Sequence, residues 1–286
     1  MNTSLEKAEV LVEALPYIRE FYGKTVVIKY GGNAMTCNEL KRKVLLDIVL
    51  MKYVGMNPVV VHGGGPMVSQ TMEKMGKKPQ FVDGLRVTDA ETMEIAEMVL
   101  AGKLNKELVS FLNQHGGKAV GISGKDGNLL IAEKKVSPKG DLGFVGDVTE
   151  INPELVEVLI AKDFIPIICS IGVGKNGESY NINADYVAGK LAAVLKADKL
   201  VMMTDVQGIF QDYNDKDSLI STLPRKQAEL MIEKGQIAGG MIPKVESCLT
   251  AVSGGVKKAH IIDGRMDHSL LLEIFTHQGI GTQGLE

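Results

Sequence analysis

Lys29 closes an apolar, β-branched run at residues 25–29 and stands directly before Tyr30-Gly31-Gly32. A lysine at the end of such a run is costly to place unless its charge meets an anion. A second lysine, Lys244, follows Gly239-Gly240-Met241-Ile242-Pro243 at what reads as a helix start. Asp185 opens another helix in Asn181-Ile182-Asn183-Ala184-Asp185, and Arg86 follows a turn in Asp83-Gly84-Leu85-Arg86-Val87-Thr88. Each has an ordinary reading on its own. Lysine and arginine are usually solvated, and an Asp or Asn at a helix start is usually a cap. Their company argues for more. Four glycine clusters, Gly31-Gly32, Gly63-Gly64-Gly65, Gly121-x-x-Gly124 and Gly239-Gly240, stand at strand ends or helix starts. Open α/β sheets bind ligands at the carboxyl ends of their strands. Glycine there lets backbone N–H groups reach phosphate or carboxylate oxygens. One cluster is a turn; several on one edge, two with a lysine, point to anion handling.

Two look-alike motifs fail on context. Gly23-Lys24-Thr25 ends like a P-loop, but the first glycine of that motif would fall on Ile18, and the segment enters a strand. Gly172-Val173-Gly174-Lys175-Asn176-Gly177 fits the dinucleotide fingerprint in form, yet runs into Glu178-Ser179-Tyr180-Asn181 and reads as a hairpin tip. The histidines His62, His115, His260, His268 and His277 show no metal spacing, and His62 beside the glycine triplet reads as structural. No metal site is expected.

The elements that position these residues are short apolar strands alternating with helix-period segments. Strands are expected at 25–29, 58–62, 119–122, 165–171, 199–204 and 259–262, and helices at 39–53, 68–75, 90–114, 153–162, 184–195, 225–234 and 244–252. That alternation predicts a mostly parallel sheet with helices on both faces. Residues 129–151 and 171–183 leave no room for helices and read as hairpins projecting from it. Two lobes are expected, divided near Ala197: an N-terminal helix at 1–23, a lobe at 24–196 and a lobe at 197–286. In the first segment Thr3-x-x-Glu6 fits a capping box. Leu5, Ala8, Leu11, Leu15, Ile18 and Tyr22 then recur at helical spacing, and Pro16 predicts a kink or break one turn earlier. Periodicity alone favours a helix lying on its own domain; the alternative is an arm that packs on another subunit.

A net charge of −3 with scattered basic residues gives no reason to expect nucleic acid. Three distant cysteines suit a reducing cytoplasm rather than a disulfide framework. No basic-then-apolar leader is seen, and no apolar run approaches the ~20 residues of a membrane span. A cytoplasmic protein without membrane contact is expected.

Taken in order, Ile28-Lys29-Tyr30-Gly31-Gly32, His62-Gly63-Gly64-Gly65-Pro66, Gly84-Leu85-Arg86-Val87-Thr88, Asn181-Ile182-Asn183-Ala184-Asp185, Met203-Thr204-Asp205-Val206-x-Gly208 and Gly239-Gly240-Met241-Ile242-Pro243-Lys244-Val245 resemble the amino-acid kinase family. The match spans residues 24–281. The resemblance implies a three-layer α/β/α sandwich, with an acyl-amino-acid lobe and an ATP lobe. Within the family it is nearest to the members that phosphorylate the side-chain carboxylate of N-acetylglutamate in arginine biosynthesis. It makes Lys29 and Lys244 the lysines on the transferring phosphoryl group and Asp185 the carboxylate that holds them. Gly64, Gly65, Arg86 and Asn181 match substrate-binding positions. Gly31, Gly32, Thr204 and Asp205 match the nucleotide site, with Mg²⁺ carried by ATP. Arginine-sensitive members carry a kinked N-terminal helix that interlaces dimers into a hexamer, a trimer of dimers. By position Tyr17, Lys199, Glu273 and Gly281 would contact the arginine. The tail Gly281-Thr282-Gln283-Gly284-Leu285-Glu286 lacks the apolar residues with which the family continues, which argues against a final strand.

The chemistry suits these residues. A carboxylate nucleophile, with a pKa of about 4.3, is already ionised at neutral pH and needs no general base. The difficulty is anion against polyanion, which cations and backbone N–H donors relieve. Arg86 can grip an α-carboxylate as a fork, and Asn181 can donate to or accept from an amide. The rivals are kinases of the family acting on acyl-aminoadipate, aspartate, glutamate, carbamate or UMP, and a catalytically silent amino-acid sensor.

Overall fold

The computed structural model describes residues 4–35, 37–212, 215–276 and 279–285. Thr3 of the capping box and His277 lie outside them. After α1 (Ser4–Phe21) come β1 (Thr25–Tyr30), α2 (Asn38–Tyr53), β2 (Asn57–His62) and α3 (Gly65–Lys74). A small hairpin, β3 (Phe81–Val82) and β4 (Leu85–Arg86), leads to α4 (Ala90–Glu97). A π-helical turn, Met98–Leu104, joins α4 to α5 (Asn105–Gln114). Then follow β5 (Ala119–Ser123), β6 (Leu130–Lys134), β7 (Val145–Ile151), α6 (Glu154–Ala161), β8 (Ile165–Cys169), β9 (Ile171–Val173) and β10 (Ser179–Ile182). The remainder is α7 (Ala184–Val194), β11 (Lys199–Thr204), β12 (Thr222–Pro224), α8 (Arg225–Glu233), α9 (Met241–Ser253), β13 (Lys258–Asp263), α10 (Ser269–Phe275) and β14 (Thr282–Leu285).

The period of two along β1 sets up the whole arrangement. Val26, Ile28 and Tyr30 fall in one apolar core with residues of α2, α4, α5 and α10. Val27 falls in the other, with residues of α7, α8 and α9. Lys29 shares the Val27 side, which turns it toward α7. Among the described residues eight strands form one sheet in the order β12-β14-β13-β11-β1-β2-β8-β5. The run β13-β11-β1-β2-β8-β5 is parallel throughout. A parallel sheet covered on both faces buries its strands completely, which explains why β1, β2, β8 and β11 read as continuous apolar runs. The sheet passes straight across Ala197, since β11 pairs with β1.

Some expectations hold and others are corrected. The two hairpin stretches do form antiparallel pairs, β6 with β7 and β9 with β10, and these pair further into a four-stranded sheet closed on itself. The glycine-rich look-alike is the turn between β9 and β10, where Gly174 N–H donates to Glu178 O at 2.8 Å. α9 begins at Met241 rather than Lys244, because Pro243 falls in the first turn, where its missing N–H has no partner to lose. The tail does form a strand: β14 pairs antiparallel with β13 and parallel with β12. Its pairing comes from backbone ladders and from Thr282, whose Oγ1 accepts from Ile209 N–H at 2.8 Å, not from an apolar run. α1 stays helical through Pro16 instead of breaking. Val10, Leu11, Val12 and Leu15 on it are exposed, so this part of the helix does not lie on its own domain; Phe21 is buried.

α7 and α9 cross against each other at Gly189. A Cβ there would lie 2.6 Å from the backbone oxygen of Ser247 and 2.9 Å from its Cα. Gly189→Ala gains ~1 kcal/mol in helix propensity but overpacks a backbone contact, at about 1–3 kcal/mol or more. A lowered urea midpoint is expected, together with lower activity, because these helices carry Asp185 and Lys244. A variant as stable as wild type would show that the helices have room to part.

Candidate active site

Asp185 sits in the first turn of α7, after Asn183, whose side chain accepts from Asp185 N–H at 2.8 Å. The capping expected of this segment is therefore done by Asn183, and the Asp185 carboxylate is left for other work. Lys29 Nζ lies 2.8 Å from its Oδ1 and Lys244 Nζ 2.7 Å from its Oδ2. The Lys244 contact is a directed hydrogen bond, whereas the Lys29 contact is an ion pair without hydrogen-bond alignment. All three groups are largely buried. Burial pushes the Asp185 pKa upward, but Lys29 and Lys244 together outweigh it and hold the carboxyl below its usual range. Burial, with repulsion from Lys29, moves Lys244 down against the pull of Asp185.

A cavity of about 230 Å³ opens beside this cluster, lined by Lys29, Gly31, Gly32, Gly63, Gly64, Gly65, Arg86, Ser170, Asn181, Asn183 and Asp185, with Val68, Phe81, Leu85, Leu100, Val145 and Ile182 among its apolar walls. It gathers two of the four glycine clusters, Gly31-Gly32 and Gly63-Gly64-Gly65, with Arg86 and Asn181; Gly121, Gly124, Gly239 and Gly240 do not line it. A Cβ on Gly31 would sit 2.8 Å from Lys29 Nζ, so glycine is what leaves the ammonium its space. Arg86 Nη2 donates to Gly65 O at 2.7 Å and Ser69 Oγ at 2.8 Å, and the guanidinium lies 4.8 Å from the centre of the Phe81 ring. Among the described residues no carboxylate pairs with it. Asn181 Nδ2 donates to Thr88 Oγ1 at 3.2 Å, and Thr88 Oγ1 donates to Arg86 O at 2.8 Å, so the two substrate-side candidates are tied together.

Thr204 and Asp205 close β11 outside that cavity. Asp205 lies near enough for its charge to favour the ammonium form of Lys244. A second cavity, about 270 Å³, starts immediately beyond, lined by Val206, Gly208, Ile209, Phe210, Gln236, Ile237, Ala238 and Met241. Residues 236–238 escape sequence reasoning because they carry no reactive group. Their proximity to Gly239-Gly240 is the signal that was available.

The four residues placed near an effector come together only in part. Lys199 and Glu273 form a buried pair at 2.5 Å, and Ile280 N–H donates to Glu273 Oε2 at 2.7 Å, one residue before Gly281. Tyr17 is half-buried on α1. Lys199 lies 5.7 Å over the Phe21 ring, which links α1 to the pair. His260, not singled out in the sequence, joins with Nε2 3.2 Å from Glu273 Oε1. Burial and the neighbouring Lys199 and Lys258 push its pKa down to about 3, so it is neutral. Among the described residues no three His, Cys, Asp or Glu side chains could hold a metal, and no helix is long and apolar enough to cross a membrane.

Residues 24–263 match the amino acid kinase family. An acetylglutamate kinase from Pelotomaculum thermopropionicum is 59% identical over 291 residues, covering 99% of this chain and 99% of the relative. Among solved structures, an N-acetylglutamate synthase from Neisseria gonorrhoeae complexed with coenzyme A and N-acetyl-glutamate superposes with a TM-score of 0.86 at 26% identity, over 100% of this chain and 64% of that one. The same synthase complexed with coenzyme A and L-arginine gives 0.80 at 26% identity, over 99% and 66%.

The Asp185 cluster makes a pH-dependent prediction. Asp185→Asn strands two buried ammonium groups and is expected to cost about 3 kcal/mol at pH 7. The native pKa of Asp185 is held below the unfolded value near 3.9. Its contribution is therefore present above that value and lost as pH falls through the native pKa. Urea melts of the two proteins should differ at pH 7 and converge in acid; a constant gap would mean that Asp185 is not the carboxylate holding the lysines.

Proposed function

The chain belongs to the amino acid kinase family, among its acetylglutamate kinases, and we propose that it transfers the γ-phosphoryl group of ATP to the γ-carboxylate of N-acetyl-L-glutamate at the Lys29–Asp185–Lys244 cluster. The observation that carries this reading is the cavity in which a buried guanidinium, with no carboxylate partner among the described residues, and a buried lysine face the same space. An acyl amino acid with two carboxylates answers both: the α-carboxylate on Arg86, the γ-carboxylate toward Lys29. Arg86 is presented by Gly65 and Ser69 and backed by Phe81, so its fork is set before substrate arrives. Asn181 addresses the acetamido group, and Val68, Leu85 and Leu100 offer the methyl an apolar wall.

The attacking carboxylate is ionised and requires no base, in keeping with a cavity whose only carboxylate among the described residues is already held by two lysines. Lys29 and Lys244 stabilise charge on the equatorial phosphoryl oxygens, and backbone N–H groups of Gly31, Gly32, Gly64 and Gly65 add neutral donors. Asp185 keeps the two ammonium groups from repelling each other while the site is empty of phosphate. The cavity behind Asp205 suits the base and ribose of the nucleotide. Magnesium would travel with the triphosphate and offset its charge, and no residue of this chain is assigned to it. Residues 24–196 would thus hold the acyl amino acid and 197–286 the nucleotide, in a cytoplasmic enzyme. Purified protein should form an acyl phosphate, trapped as the hydroxamate, with N-acetylglutamate and not with glutamate or aspartate. Arg86→Lys should raise KM for N-acetylglutamate at least tenfold and leave KM for ATP unchanged. Product with free glutamate, or an equal rise in both KM values, would overturn this assignment.

Arginine feedback inhibition belongs to the same proposal. Val10, Leu11, Val12 and Leu15 form an exposed apolar surface on α1, suited to the same helix of a second copy in a trimer of dimers. Lys199, Glu273 and His260, reached from α1 through Phe21, form the buried place where a guanidinium would compete with Lys199 for Glu273. The likeness to a synthase seen with L-arginine supports this. Leu11→Glu with Leu15→Glu should shift light scattering from hexamer to dimer, keep the uninhibited kcat within about twofold, and weaken arginine inhibition by at least tenfold. Wild-type protein that scatters as a dimer and ignores millimolar arginine would refute it.

A further inference from the structure

Asn105 stands where the π-helical turn Met98–Leu104 passes into α5, fully buried. Its N–H bonds to Leu100 O five residues back, the widened spacing of a π turn, a feature common near functional sites. Its neighbours dictate which way the side-chain amide points. Lys106 Nζ, a donor only, lies 3.1 Å from Oδ1, while the Ile167 carbonyl, an acceptor only, lies 2.9 Å from Nδ2. The same Nδ2 lies 3.1 Å from His62 Nε2. An amide nitrogen can only donate, so Nε2 is the bare ring nitrogen and the His62 proton sits on Nδ1. Nδ1 is 2.9 Å from the carbonyl oxygen of Gly63 and donates to it. Burial pushes the His62 pKa down to about 4, so the ring stays neutral at physiological pH.

A trans peptide is planar, and among the described residues no peptide bond is cis. Fixing the carbonyl of Gly63 therefore fixes the N–H of Gly64 on the opposite edge, and both residues line the cavity beside Lys29. We propose that Asn105 is a positioning residue for phosphoryl transfer: it holds His62 in the Nδ1–H tautomer, and His62 orients the peptide between Gly63 and Gly64 so that the Gly64 N–H faces the transferring group. Two tight contacts serve the same device. A Cβ on Gly121 of β5 would lie 1.8 Å from Asn105 Oδ1, so glycine there makes the socket for the amide. A Cβ on Gly64 would lie 2.6 Å from both Leu100 Cδ2 and Leu104 Cδ2, so the π turn packs directly on the loop it orients. The inference rests on the phosphoryl-transfer reading of the cavity.

The test reads tautomer and kinetics separately. Nitrogen-15 NMR of histidine-labelled protein, without substrate, should show His62 protonated at Nδ1 and bare at Nε2. The nearly isosteric Asn105→Leu should release that tautomer. It should lower kcat roughly ten- to hundredfold, the scale of a small misplacement in the site, with KM for ATP and N-acetylglutamate within about threefold. Should Asn105→Leu fail to fold, a second pair decides. His62→Asn keeps a donor at the Nδ1 position and His62→Leu does not, so kcat of His62→Asn should exceed that of His62→Leu by roughly tenfold. An Nε2-protonated His62 in wild type, a folded Asn105→Leu with wild-type kcat, or equal kcat in the two His62 variants would each overturn the proposal. A wild-type enzyme that makes no hydroxamate would instead overturn the functional reading, since the tautomer is measured without turnover.

Discussion

Asp185 carries one negative charge between two ammonium groups, Lys29 at 2.8 Å and Lys244 at 2.7 Å, in surroundings that are largely dry. Without it two like charges would face each other in a low dielectric, where repulsion is several times its value in water. The fold is arranged so that this contact can form. Lys29 arrives at the end of a central strand, Asp185 in the first turn of α7 packed over that strand, and Lys244 in the first turn of α9. The close crossing of α7 and α9 at Gly189 brings the last two together.

The remaining pieces of the site are positioned from the opposite face of the sheet. The glycine loop after β2 is packed under Leu100 and Leu104 of the π turn and held through His62 and Asn105. The two layers of the sandwich thus meet at one cavity: α7 and α9 supply charge, and α3 with the π turn supply a shaped backbone. The fold thus holds cations and glycine N–H groups around one cavity in advance, and in the proposed reaction that is the condition under which such groups lower a barrier most.

α10 and residues 279–281 before β14 occupy a separate place. Glu273, buried under Lys199 and His260, also accepts the N–H of Ile280. β14 adds to the sheet beside β13, and Thr282 fastens the segment at Ile209, next to the cavity behind Asp205. A ligand that disturbed Glu273 would therefore act on a strand whose other contact borders the cavity behind Asp205, a short mechanical path between the two.

The sequence by itself determined the alternating α/β order and the parallel sheet, and it singled out Lys29, Arg86, Asp185 and Lys244, which the fold brings to one cluster and the cavity beside it, because apolar periodicity and glycine at strand ends are local properties. It also excluded the two look-alike motifs, since a P-loop and a dinucleotide fold each demand a helix that the next residues do not form. Local pattern was silent on three things. β14 has no apolar signature, because its stability comes from partners distant in sequence, β12 and β13. The exposure of Val10, Leu11, Val12 and Leu15 could not be read from helical spacing, which is the same whether a face meets its own domain or another chain. Asn105 and His260 look ordinary in the sequence, and become informative only when the sheet brings His62 and Glu273 within hydrogen-bond distance of them. Chemistry at a site depends on distance and direction between groups far apart in the chain, and packing of the layers, not spacing along the sequence, decides both.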